Sequence, residues 1–80
     1  MIRFTLYSRA GCHLCDVMLA ALEPLLEGRA SVDVVDIDGD PALRARYGRR
    51  IPVLAHGDQD LCQYHLDSAA VLALLDGDGA

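Results

Sequence analysis

The sequence contains no lysine, no asparagine and no tryptophan, and only three cysteines among its 80 residues. Its seven cations are all arginine, set against twelve Asp and Glu, so the formal net charge is −5. That balance leaves no broad basic field of the kind that holds nucleic acid, and no nucleic-acid partner is expected. No apolar run approaches the ~20 residues that cross a bilayer, and the opening MIRFTL is too short for a signal-peptide core. A soluble, cytoplasmic protein without a membrane partner is the expectation. No repeat, linker or low-complexity stretch divides the chain. A chain of this length buries only roughly 60 % of the surface its unfolded form exposes, which leaves room for one core and one domain, residues 1–80.

What is present is a regular alternation of apolar patterns. Hydrophobic residues make up 52 % of the chain, enough for a compact globule. Residues 2–7 (IRFTLY) alternate Ile2, Phe4 and Leu6 with Arg3, Thr5 and Tyr7, the period of a strand, and residues 8–11 turn. From Leu14 the apolar positions Leu14, Val17, Met18, Ala21, Leu22, Leu25 and Leu26 follow helical spacing, with Pro24 expected to bend or shorten the helix and Gly28 to cap it. SVDVVDID (31–38) reads as a second strand. Asp40-Pro41 reads as an N-cap with proline in the first turn of a helix to Tyr47, stopped at Gly48. Residues 51–55 (IPVLA) form a third strand and, across a turn at Gly57-Asp58, 61–64 a fourth. Asp67 opens a last helix, with Leu66 and Val71 placed as a hydrophobic staple and Gly77 following its end. The order β-α-β-α-β-β-α predicts an α/β fold, a four-stranded mixed sheet with helices on both faces.

Cys12 and Cys15 stand two residues apart where the first strand gives way to the first helix. The spacing serves a redox couple, half of a metal site, or two small core residues. In a reducing compartment a close pair is more often catalytic or metal-binding than structural. At about 100° per residue the two thiols are one turn apart. Cys15 lies beside Leu22 and Leu26 at the margin of the apolar stripe, and Cys12 at the more exposed helix start. There the free N–H groups and positive dipole end favour a thiolate. Cys12 is therefore the candidate nucleophile and Cys15 the resolving thiol. His13, next to the nucleophile, is a candidate modulator that would stabilise the thiolate when protonated or shuttle a proton.

LYSRAGCHLC at 6–15, RRIPVL at 49–54 and the order of elements together resemble the glutaredoxin-like branch of the thioredoxin superfamily. The resemblance implies a thioredoxin-like fold and thiol–disulfide exchange by the Cys12/Cys15 pair in cell redox homeostasis. It also implies a cis Ile51–Pro52 peptide beside the cysteines, with the backbone of Ile51 meeting an incoming peptide or glutathione. Arg9 takes the place of a basic residue preceding the active site, and Arg49 that of a cation holding a glutathione carboxylate. The chain departs from the family's pattern in having Cys-His-Leu-Cys for Cys-Pro-Tyr-Cys. It has Tyr64 and His65 where glutaredoxins carry Gly-Gly against the glutathione backbone. Tyr64 is then a candidate substrate platform, and glutathione a candidate co-substrate that meets bulk at these positions. No bound cofactor and no metal are expected, the partner being a disulfide-containing protein or a small thiol, and the chain a monomer.

Two other classes stay open at this level. A metal or iron–sulfur module would use Cys12 and Cys15 as half its ligands, though a closed zinc site needs four and only one such pair is present. A thioredoxin-like adaptor or redox sensor would bind a partner with little turnover. Cys62 reads as a small core residue in the hairpin. A calcium loop in DVVDIDGD fails, because counting from Asp36 puts Pro41 and Tyr47 where Gly and Glu are required.

Overall fold

The alternation at the start of the chain becomes β1 (Ile2–Ser8) in the computed structural model, which describes residues 2–79, with side chains as far as residue 77. Phe4 and Leu6 are buried on one face, with Ile2 packed beside them, and Tyr7 points to the other. The remaining elements are α1 (His13–Leu26), β2 (Ala30–Asp36), a short 3-10 turn (Ile37–Gly39), α2 (Pro41–Tyr47), β3 (Val53–His56), β4 (Gln59–Gln63) and α3 (Ser68–Gly79). The expected α/β order and four-stranded mixed sheet are observed, with strand order β2-β1-β3-β4. β2 runs parallel to β1, from Ile2 opposite Ala30 to Ser8 opposite Asp36, while β3 runs antiparallel to β1 and β4 antiparallel to β3.

Two clusters fill the faces of this sheet. Met18, Leu22 and Leu26 of α1 and Val71 and Leu75 of α3 pack on Phe4, Leu6 and Leu54. Tyr47 of α2 packs with Ile37 and Val53 on the opposite face, beside Tyr7, Leu43 and Ile51. Burying each such side chain contributes about 1.5–3 kcal/mol, so the larger cluster anchors α1, and with it the cysteine pair, to the central strand β1.

Several boundaries differ from expectation for local reasons. α1 begins at His13, and Pro24 lies inside its last turn without ending it. Gly28, at φ +75°, supplies the left-handed residue after the C-cap. The apolar stripe of α1 is rotated: Cys15, Met18, Leu22 and Leu26 are buried, whereas Leu14, Val17 and Ala21 face outward. β2 stops at Asp36, because the Asp36 carboxylate accepts the Asp38 N–H and starts the 3-10 turn. β3 begins at Val53, leaving Ile51–Pro52 as a loop with a cis peptide, and β4 occupies 59–63. The two caps form where the sequence places them: Asp40 accepts the Ala42 N–H and Asp67 that of Ala70. α3 continues past Gly77 to Gly79.

Candidate active site

β1 delivers the chain to the turn that carries Cys12. Gly11 sits at φ +78°, a conformation that L side chains rarely adopt, and the Cys12 N–H donates to the Arg9 carbonyl at 3.2 Å. Cys12 is then extended (φ −84°, ψ 107°) as the N-cap of α1. Serine, threonine, aspartate or asparagine normally fills that place with an oxygen. Here the Cys12 Sγ does so, accepting the Cys15 N–H at 3.1 Å, while the Asp16 N–H donates to the Cys12 carbonyl. Cys12 and Cys15 are joined as a disulfide with Cα atoms 5.2 Å apart. Cys15 is 4 % exposed and Cys12 half-buried, so an incoming group reaches Cys12 first. On reduction, the same N–H and the positive end of α1 favour the thiolate at Cys12.

The register of β1 with β3 sets what stands opposite. Tyr7 pairs with Val53, so the residues after Tyr7 and those before Val53 emerge at one end of the sheet. That brings the Ser8–Gly11 turn and the cis Ile51–Pro52 peptide to the same edge. Tyr64 joins them: its N–H donates to the Pro52 carbonyl at 2.9 Å and its hydroxyl to the Arg49 carbonyl. The phenol thus straps the 49–52 loop from the far side. Tyr64 does this at φ +65°, a left-handed backbone that strains a bulky residue by about 1–2 kcal/mol. Tyr64→Gly is expected to leave stability within about 1 kcal/mol of the parent, relief of the backbone offsetting the lost strap. Tyr64→Ala, which loses the strap and keeps the strain, is expected to be the less stable of the two in urea titrations.

The candidate cations are placed differently from one another. Arg9 is committed: its Nε donates to both carboxylate oxygens of Asp38, at 2.9 and 3.1 Å, joining the cysteine turn to the 3-10 turn after β2. Arg49 is exposed and makes no ion pair among the described residues. Its neighbour Arg50 is held by Gln63 and Asp60 of β4 and lies over the Tyr47 ring. Tyr47 stacks on Tyr7 with centroids 4.3 Å apart and donates its hydroxyl to Asp60. Burial, reinforced by the Asp60 charge, holds that phenol above its ordinary range. The Arg50–Asp60–Tyr47 group and the Arg9–Asp38 pair fix both loops of the site, and sequence reasoning missed them. Arg9 and Asp38 are 29 positions apart, beyond any periodic signal.

His13, the first residue of α1, is exposed, and its side chain makes no hydrogen bond or ion pair among the described residues. Cys62 is half-buried against the larger core cluster, and burial pushes its thiol up, away from the reactive range. Among the described residues, no three His, Cys, Asp or Glu side chains gather as metal ligands, and no helix is long and apolar enough to cross a membrane.

Comparison with known proteins points the same way. The chain matches the description "glutaredoxin-like domain (DUF836)" over residues 3–76. It is similar to the solution structure of protein Ne2328 from Nitrosomonas europaea, at 38 % identity and a TM-score of 0.82, covering 91 % of this chain and 89 % of that one. It is also similar to the X-ray structure of protein XcR50 from X. campestris, at 39 % identity and a TM-score of 0.71, covering 92 % and 96 %. A malarial protein shares the fold at 16 % identity and a TM-score of 0.62, over 96 % of each chain. No match is found among curated proteins. A glutaredoxin-like chain with a Cys-x-x-Cys pair at a helix start supports a thioredoxin-like redox role.

Proposed function

We propose a function from one premise: this chain belongs to the family of glutaredoxin-like domains (DUF836). It is a thiol–disulfide oxidoreductase of cell redox homeostasis, working as a monomer in the cytoplasm on a disulfide-containing protein or a small disulfide. The observation that carries this reading is the placement of the half-exposed Cys12 Sγ on the N-terminus of α1, bonded to a buried partner thiol.

In the reduced protein the Cys12 thiolate attacks one sulfur of a substrate disulfide. A Cys12–substrate bond forms, the substrate S–S bond breaks, and the first substrate thiol leaves. Cys15, its proton passed to solvent or to that leaving thiolate, then attacks Cys12 Sγ and releases the second thiol. Two electrons have moved to the substrate, and the Cys12–Cys15 disulfide remains until an external thiol reductant reverses the sequence. Ile51 and Pro52 form the wall against which substrate lies, with Tyr64 as its platform and Arg49 as a cation for a substrate carboxylate. Arg9, tied to Asp38, holds the cysteine turn. His13, when protonated, adds positive charge beside the thiolate. The chemistry uses no bound cofactor, and glutathione enters as a co-substrate.

The test is a redox titration in glutathione buffers, quenched by alkylation and read by mass spectrometry with metal assayed in parallel. A reversible Cys12–Cys15 couple between roughly −180 and −270 mV, the span of known exchange proteins, is the expected result. Thiols that stay reduced throughout, or that are protected by stoichiometric metal, refute the reading.

A further inference from the structure

Among the described residues four large hydrophobic side chains are exposed, and their distribution is uneven: Leu14 (38 %), Val17 (49 %), Tyr64 (41 %) and Val34 (51 %). Val34 lies on the edge strand β2. The other three lie on the elements that carry the redox pair and the cis-proline loop. Leu14 stands between the two cysteines, Val17 follows one turn on along α1, and Tyr64 straps the Ile51–Pro52 loop. Single exposed apolar residues are ordinary, but their gathering at one chemical centre marks a contact surface. Arg3, Arg9, Arg29 and Arg50 are each paired with an aspartate. Of the three arginines without an ion-pair partner among the described residues, Arg44 and Arg46 lie on α2, and Arg49, whose carbonyl is held by Tyr64, adjoins the Ile51–Pro52 loop.

We infer that this surface selects polypeptide disulfides bearing an apolar residue and an acidic residue beside the reacting cysteine. The inference rests on the exchange activity proposed above and names its substrate class. A flanking apolar side chain covers Leu14 and Val17, and a flanking carboxylate meets Arg49. A small hydrophilic disulfide covers neither apolar residue.

The probes are disulfide-linked dimers of short cysteine peptides: one with Leu and Glu flanking the cysteine, one with Leu changed to Ser, one with Glu changed to Lys. Glutathione disulfide is the fourth substrate, and exchange is followed by alkylation and mass spectrometry. The parent protein is expected to favour the Leu/Glu peptide by about fivefold in kcat/KM over each single change, the size of one exposed ion pair or one partly buried valine. Val17→Ser should remove the preference for Leu and keep that for Glu. Arg49→Ser should do the reverse, and only the Glu preference should shrink with added salt. Val34→Ser, remote from the site, should change neither. Equal rates on all peptides overturn the inference while leaving the oxidoreductase intact. No exchange with any probe overturns both. A concentration-dependent dimer dissociated by Val17→Ser would show that a second copy covers this face, and also overturns it.

Discussion

Cys12→Ser is expected to lower the rate of the proposed exchange by about 10³-fold or more, because the reacting sulfur is gone and no other thiol stands in its place. Cys15 is buried behind it, and Cys62 is half-buried in β4 with a thiol that burial keeps protonated. The complementary variant is more informative. In Cys15→Ser the first attack proceeds and the second does not, so the mixed disulfide between Cys12 and substrate accumulates. Its expected mass is the sum of the protein and one substrate thiol less two hydrogens, and dithiothreitol releases it. A protein in which both substitutions leave partner capture unchanged is an adaptor, and one that loses bound metal in either is a metal module. The three classes therefore separate on two variants and one mass spectrum.

The direction of this asymmetry is legible in the amino-acid sequence because it depends on local geometry. A residue at a helix start meets free N–H groups, and a residue three places on enters the first turn. The cap at Asp40 and the cis Ile51–Pro52 step belong to the same class, the first written in neighbouring residues and the second implied by resemblance. What the sequence hides is whatever depends on where distant segments meet. Leu14, Val17 and Ala21 satisfy helical spacing as well as Met18 and Leu22 do, and only the approach of β1 and α3 decides which side is covered. Arg9 reads as a free cation until the fold sets Asp38 against it. Tyr64 reads as bulk where the family has glycine; its positive φ shows that the backbone there keeps the shape glycine would give, while the phenol has acquired a separate task at Arg49.

The largest expected effect on stability falls on Phe4, the only phenylalanine in the chain and 0 % exposed. β1 is an interior strand, flanked by β2 and β3, and Phe4 lies under α1 and α3 with its ring 5.8 Å from that of His56. Phe4→Ala is therefore expected to remove about 3–5 kcal/mol, the transfer term plus the cavity left behind. A domain of this size has about 4–12 kcal/mol in all, at roughly 0.05–0.15 kcal/mol per residue. The substitution takes a large part of that margin. With a urea slope of about 1 kcal/mol per molar, the midpoint should fall by about 3 M or vanish below the measurable range. Val34→Ala, on the exposed edge of the same sheet, should stay within about 0.5 kcal/mol. The effect reaches the active site because β1 leads directly into the turn that presents Cys12: as the folded fraction falls, fast alkylation of Cys62, and of Cys15 in the reduced protein, should rise in step with it. A Phe4→Ala protein that keeps its midpoint within about 1 M of the parent would show that the core clamping α1 to β1 lies elsewhere, and the anchoring assigned here to that strand would have to be withdrawn.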